Sequence, residues 1–286
     1  MPKIKIEGGH RLSGEIVPQG AKNEALQVLS AVLLTDQPVT ISNLPDIRDT
    51  QRYIDILSLL GVKITKLKKD MFPFQADNVD LDMLTTPEFS KLSAAIRASI
   101  MVLGPLLGRF GKAFAARPGG DQIGRRPLTT HFEGFESLGA TISLSEDGNF
   151  FELHADHLKG TYMLLNEASV TGTANIVMAA VLAEGKTTIF NAACEPYLYQ
   201  LCTMLNNMGA KISGIGSYLP ERIVTNDEIA PQIESSDEWI FSHTGIKTRH
   251  VAAPDESASS LGVEAAKRAM EAAGAKPEEI GMIILG

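Results

Sequence analysis

Residues 127–155, PLTTHFEGFESLGATISLSEDGNFFELHA, decide the fold, because they hold a helix, its stop and a hairpin in one uninterrupted run. Pro127 is pre-set for a first helical turn, and Gly139 can take the left-handed conformation that ends the helix PLTTHFEGFESL. The alternating strand ATISL then meets FFELHA across Asp147-Gly148, a dipeptide suited to a tight hairpin. Upstream lie an apolar helix, AAIRASIMVLGPLLG (94–108), and a strand, KAFAARP (112–118).

The same order of parts occurs twice more. The first copy runs from the helix NEALQVLSAVLL (23–34) through the strand PVTISNL (38–44) to a Pro45-led helix, DIRDTQRYIDILSLL, stopped by Gly61 before VKI. It ends less regularly, as FPFQADNVD (72–80). The third copy runs from TANIVMAAVLAE (173–184) through KTTIFNAA (186–193) to a Pro196-led helix, PYLYQLCTMLNNM, stopped by Gly209 before AKI. Here no hairpin follows. After Ser213 the chain reads GIGSYLPERIVTNDEIAPQIESSDEWI, whose prolines and polar clusters predict loops. Residues 213–286 also carry a net charge of −6, against −2 for the first 212. The broken repeat and the charge shift together place a boundary at 213–217.

A chain of 286 residues with 44% hydrophobic and 21% charged residues is globular, which excludes collagen-like, coiled-coil and disordered classes. The longest apolar runs, 98–108 and 174–183, fall short of the roughly 18 residues a membrane span needs, so no membrane association is expected. The start, MPKIKIEGG, has no apolar signal region, and two cysteines make no disulfide framework; a cytoplasmic location is expected. A net charge of −8 opposes binding to nucleic acid, although arginine clusters can still hold a small anion.

Residues 1–217 resemble the UDP-N-acetylglucosamine 1-carboxyvinyltransferases. The strings that carry the likeness are GAKNEAL (20–26), RASIMVLGPLLGRFG (97–111), RPGGDQIGRRP (117–127), SVTGTAN (169–175) and LNNMGAKISGIGS (205–217). The resemblance implies an α/β fold: an inside-out α/β barrel of three βαβαββ repeats, EPSP-synthase-like, over residues 22–213. Residues 1–21 would be the strand and loop of a second transferase domain that the family sets opposite the first, the active site lying between. Residues 214–286 resemble the N-terminal part of β-ketoacyl-ACP synthase III, a truncated thiolase-like α/β fragment. The strings are GIGSYLPERIVTNDEIA (214–230), SSDEWIFSHTGIKTRH (235–250), VAAPDE (251–256) and GVEAAKRAMEAAGAKPEEIGMIILG (262–286). The last reads by itself as an amphipathic helix, a Gly274 cap, a loop with Pro277 and a buried strand. Both resemblances share GIGS, so the chain reads as a chimera.

Enolpyruvyl transfer joins a sugar hydroxyl to C2 of phosphoenolpyruvate and protonates C3, so its site needs cations and a proton donor. Lys22, Arg97, Arg126 and Arg125 can supply the positive field, or be ordinary surface side chains. The resemblance puts Lys22 (catalytic) and Asn23 at the substrate junction, Arg97 on the phosphoenolpyruvate side, and Arg126, Pro127 and Leu128 toward the uridine nucleotide. Ser169, Val170 and Gly172 open an apolar helix whose N–H groups suit a diphosphate; a plain N-cap at Ser169 explains them as well. Asp121 stands where most family members carry a catalytic cysteine. It is either the proton donor, needing burial or a hydrogen bond to stay protonated, or a loop turn residue. Thr129 replaces an aspartate and Glu167 a lysine common in the family.

In the tail, Trp239 matches the synthase tryptophan that packs on the coenzyme A or carrier-protein arm, and a lone tryptophan also reads as core. His243 replaces an arginine of that site. His154-x-x-His157 reads as a solvated strand end, Cys194 and Cys202 as core thiols, and Gly20-Ala21-Lys22 lacks the P-loop frame. No metal and no cofactor is expected. The expected partners are UDP-N-acetylglucosamine, phosphoenolpyruvate and a second copy through exposed domain faces, with little or no turnover by this chain alone. A non-catalytic interaction module is the alternative; acyl-ACP condensation is a poor third, because the synthase catalytic residues come later than this chain extends.

Overall fold

The computed structural model describes residues 8–9, 14–116, 127–145, 148, 150–212, 220–233, 235–244, 246–274, 276–277 and 282–284. Helix α1 (Lys22–Ala31) runs into a 3-10 turn at Val32–Leu34; β1 (Val39–Ile41), α2 (Arg48–Leu59), β2 (Lys63–Ile64) and β3 (Phe72–Gln75) follow. A 3-10 turn (Leu81–Thr85), α3 (Pro87–Ala95) and a further 3-10 turn (Arg97–Val102) lead to α4 (Leu103–Phe110) and β4 (Lys112–Ala116). Next come α5 (Thr129–Ser137), β5 (Thr141–Leu144) and β6 (Phe150–His154), then β7 (Tyr162–Leu164), α6 (Val170–Ala180), β8 (Thr187–Phe190) and α7 (Pro196–Asn207). The tail holds β9 (Ile223–Thr225), α8 (Asn226–Ile229), α9 (Asp237–Thr244), β10 (Thr248–His250), α10 (Ala258–Ala273) and β11 (Met282–Ile284).

The repeat is visible in the sheets. β1 and β2 both run antiparallel to a central β3, and β4 and β5 do the same to β6. Gly61, Gly139 and Gly209 stop α2, α5 and α7 at φ of +86°, +97° and +99°, a region open to glycine at no steric cost. Of the three prolines, only Pro196 sits in the first helical turn; α2 starts at Arg48 and α5 at Thr129, so Pro45 and Pro127 shape the preceding turns instead. Helix α3, absent from the repeat as read from sequence, has its own start signal: Thr86 accepts the Phe89 N–H and Pro87 occupies the first turn.

The third unit departs from expectation. Residues 210–212, AKI, form no strand. In the first two units the strand after the apolar helix pairs with an antiparallel hairpin strand; here β8 lies between two parallel neighbours, β11 and β7. A strand persists only where a neighbour satisfies its N–H and C=O groups, and the repeat breaks before any hairpin partner for residues 210–212. The strand read as the end of the tail therefore joins the third unit's sheet.

Helices lie inside and sheets outside. Every residue of α6 from Gly172 to Ala180 is buried. Its neighbours approach through glycines: Gly104 and Gly108 of α4 rest on Asn175 and Ala179, and Gly134 of α5 faces Ile176, whose side chain a Cβ would strike. The sheets keep exposed positions, as in Tyr162 and Leu164 on β7. The apolar core takes residues from Ala25 to Ile212, while Val224, Ala230 and Ile240 are buried in the tail outside it. Among the described residues no single helix is long and apolar enough to cross a membrane. The pair Pro87–Ala95 and Arg97–Phe110 qualifies only together, bent by 119°.

A methyl group on Gly104 would collide with the Asn175 carbonyl oxygen. Gly104→Ala is expected to lower the unfolding free energy by about 2–3 kcal/mol in a urea titration, the usual scale for overpacking; an unchanged midpoint would contradict this packing.

Candidate functional site

The candidate residues gather where helices begin. Lys22 opens α1 and its Nζ lies 3.2 Å from Asp49 Oδ2 in the first turn of α2. The segment before it is pinned to the 43–46 turn: the Asp46 N–H donates to Gln19 Oε1 at 2.9 Å, and Gly20 lies against the Asn43 carbonyl with no room for a Cβ. One helical turn beyond Asp49, Arg52 Nη1 donates to the Ala95 carbonyl at 2.8 Å, two residues before Arg97. The first turn of α2 therefore sets the spacing between the two predicted cations. The Lys22–Asp49 pair is solvent-exposed and adds little stability; its effect is on position. Asn23 beside it is exposed.

Arg97 is half-buried and shares a cleft of about 780 Å³ with Pro127, Leu128, Thr129, Phe132 and Glu133, closed on its far side by β5 and β6. The structure thus brings Arg97, Pro127 and Leu128 together. Close by, His131 is only 2% exposed: its Nδ1 lies 3.0 Å from Asn175 Nδ2 and its Nε2 3.2 Å from Thr171 Oγ1. Burial first, and the charge of Arg97 second, pull the imidazole pKa from 6.5 to about 4, so it is neutral at physiological pH. Asn175 also accepts the Gly104 N–H at 2.7 Å and donates to the Ile100 carbonyl at 2.8 Å. Sequence reasoning missed both residues. The available signals were His131 on the helix face of Leu128 and Phe135, and a single amide inside ANIVMAAVLA.

At the start of α6 the N-cap alternative is what the geometry takes. Ser169 Oγ accepts the Gly172 N–H at 3.2 Å, and Gly172 is buried against Thr130. That N–H is therefore not open to a diphosphate, which corrects the expectation for Gly172; Ser169 and Val170 stay half-buried. Thr130 Oγ1 donates to Glu167 Oε1 at 3.4 Å. Asp121, Arg125 and Arg126 lie outside the described residues.

Other expectations sort as follows. Trp239 is 54% exposed on α9, so it is not core; Ile240 fills the buried position instead. Cys194 is exposed, against the core reading, because it precedes α7 in a loop, whereas Cys202 inside α7 is buried and its thiol is pushed up to about 11. His154 contacts Asp156 at 3.2 Å. Among the described residues no group of three or more His, Cys, Asp or Glu side chains could hold a metal ion. A second cleft, of about 730 Å³, lies between α1, β1 and the end of α7.

Helix starts, two cationic side chains and an open cleft thus lie together in an α/β domain. The profile of the family described as EPSP synthase (3-phosphoshikimate 1-carboxyvinyltransferase) matches residues 6–234, and the chain belongs to that family. It is 58% identical over 219 residues to the UDP-N-acetylglucosamine 1-carboxyvinyltransferase of Bacteroides fragilis, covering 77% of this chain and 50% of that protein. It is 47% identical over 216 residues to the protein of that name from Borreliella burgdorferi, covering 76% and 49%. The chain spans about half the length of the curated relatives it matches. Among solved structures, the enolpyruvyl transferase NikO from Streptomyces tendae superposes with a TM-score of 0.58 at 22% identity, covering 71% of this chain and 46% of that one, which shows the fold.

The low pKa of His131 has a thermodynamic signature. Between pH 6.5 and about 4 the unfolded chain binds a proton at this residue that the folded chain does not, so stability is full above 6.5 and falls as pH drops through that window. The contribution is about 3 kcal/mol. His131→Gln should flatten that part of the stability–pH curve in denaturant titrations at pH 7 and pH 4.5; parallel curves would contradict the buried neutral imidazole.

Proposed function

We propose that residues 1–217 form the nucleotide-sugar-binding part of an enolpyruvyl transferase that moves the enolpyruvyl group of phosphoenolpyruvate to UDP-N-acetylglucosamine, in cytoplasmic peptidoglycan precursor synthesis. The observation that carries this reading is the cleft in which Arg97, Pro127 and Leu128 meet, in a chain 58% identical to a protein named for that reaction. Lys22 and Arg97, spaced by α2, supply positive charge for the phosphate and carboxylate of phosphoenolpyruvate. Asn23, Ser169 and Val170 border the substrates, Pro127 and Leu128 face the nucleotide, and Arg126 extends the positive field. Asp121 donates the proton to C3 in place of a thiol.

Residues 214–286 are read as a ketoacyl-ACP synthase III fragment, making the chain a chimera. Val224, Ala230 and Ile240, buried in the tail but outside the main core, support this reading. The 286-residue chain tested by itself is expected to bind nucleotide sugar with little or no turnover, because closure of two lobes over substrate supplies orientation and water exclusion.

Calorimetric titration of UDP-N-acetylglucosamine should give saturable binding, and Arg97→Ala should weaken the binding of phosphoenolpyruvate by at least about tenfold, as loss of a charged hydrogen-bond donor does. Absence of binding by the unmodified chain would overturn the reading. Phosphate release from phosphoenolpyruvate with UDP-N-acetylglucosamine should stay near background, and a steady turnover would refute the expected dependence on a second lobe. Fosfomycin should leave no adduct at position 121 in a peptide mass map, since no thiolate stands there.

A further inference from the structure

One cluster of positive charge lies outside both clefts. Residues 63–69, KITKLKK, hold four of the 26 basic residues of a chain whose net charge is −8. Lys63 is committed, its Nζ 2.7 Å from Asp77 Oδ2. Lys66, Lys68 and Lys69 are exposed, and among the described residues no carboxylate lies within ion-pair distance of them. The turn that carries them is held in shape. The Thr65 N–H donates to the Pro73 carbonyl at 3.1 Å and the Leu67 N–H to the Met71 carbonyl at 3.0 Å, while Lys66 Nζ stands 5.5 Å from the centre of the Phe72 ring. Asp70 is the one carboxylate among residues 65–71, so three ammonium groups outweigh it. Sheet register fixes where this charge sits. Ile41 at the end of β1 faces Phe72 at the start of β3, so the turn projects past the C-terminal end of β1. There the Leu44 N–H donates to the Asp70 carbonyl at 3.1 Å. The same 43–46 turn pins Gln19 and Gly20 just before Lys22, and leads into α2, whose Asp49 holds Lys22.

We propose that Lys66, Lys68 and Lys69 form an electrostatic collector that draws polyanionic substrates to the Lys22 end of the site and does not touch them once they are bound. A chain of net −8 repels phosphoenolpyruvate and a nucleoside diphosphate at long range, and residues 213–286 supply −6 of that charge. A compact positive turn beside the segment that leads to Lys22 offsets the repulsion locally, over a Debye length of about 8–10 Å. It raises the association rate. Dissociation is governed by short-range contacts and is unaffected. The inference rests on the reading of the substrates as phosphoenolpyruvate and a nucleotide sugar, and deepens it by giving a kinetic role to residues outside the clefts.

The test uses the full chain and UDP-N-acetylglucosamine, whose phosphorus-31 line shapes across a titration give association and dissociation rates separately. At about 20 mM salt, a variant combining Lys66→Gln, Lys68→Gln and Lys69→Gln should associate roughly 3- to 10-fold more slowly and dissociate at the same rate. The gap should close at about 500 mM salt, where the Debye length is about 4 Å. Replacing the same three lysines by arginine keeps the charge and should match the unmodified chain; replacing them by glutamate should slow association further. An unchanged association rate in the glutamine variant, a gap that persists at high salt, a changed dissociation rate or an arginine variant as slow as the glutamine one would overturn the proposal. If the unmodified chain does not bind UDP-N-acetylglucosamine, the functional reading falls together with this one; binding whose association rate ignores salt defeats this inference alone.

Discussion

The arrangement of the site depends on one buried amide. Asn175 lies on α6, a helix surrounded by core, and a polar side chain there is tolerated only with its hydrogen-bonding groups satisfied. It satisfies them on two different neighbours: the Gly104 N–H and Ile100 carbonyl on the Arg97 side, and the His131 imidazole on α5. No apolar residue could tie the three segments with the same register, because dispersion contacts have no direction. The glycines at 104, 108 and 134 make the approach close enough for those bonds. Core packing and site geometry are thus one problem in this domain.

On the other side of Arg97 the first turn of α2 plays a comparable part with weaker forces. Asp49 and Arg52 are one turn apart, one holding the Lys22 ammonium and the other the peptide that leads to Arg97. Exposed ion pairs add little to stability, so the role of these two contacts is to reduce the conformations available to two long side chains. The tail is organised around its own amide: Asn226 donates to Asp237 and to the Ile246 carbonyl, and accepts from Arg249 at 2.6 Å. Among the described elements, β11 is the part of the tail that enters a sheet of the larger domain. It lies on the side of β8 opposite β7, in the one unit with no hairpin among the described residues.

Local signals made the repeat legible. Gly61, Gly139 and Gly209 have positive φ, a backbone property that leaves a mark on residue type, and the hairpin of residues 141–154 follows from alternation. Pro45 and Pro127 were harder to place, since a proline two or three residues before a helix and one in its first turn look alike in a string. Lys22, Arg97, Pro127 and Leu128 came from a resemblance; nothing in their own spacing singled them out. The partners of Asn175 lie 44 to 75 residues away in sequence, and Asp49 lies 27 from Lys22, so no local window contains either contact. Gly172 misled because an N-terminal glycine suggests a vacant N–H, while Ser169 three residues earlier had already claimed it. Trp239 and Cys194 show that residue type alone is a poor guide to burial at a loop or on a short helix.

The account's central claim is that the Arg97 turn, the start of α5 and the start of α6 act as one ligand-binding unit held by Asn175. Amide hydrogen exchange with and without saturating UDP-N-acetylglucosamine addresses it directly. The account predicts added protection confined to peptides covering residues 97–104, 128–135 and 169–176, appearing together. Protection elsewhere, for instance along α1, β1 and the end of α7 at the second cleft, with these three segments unchanged, would contradict it.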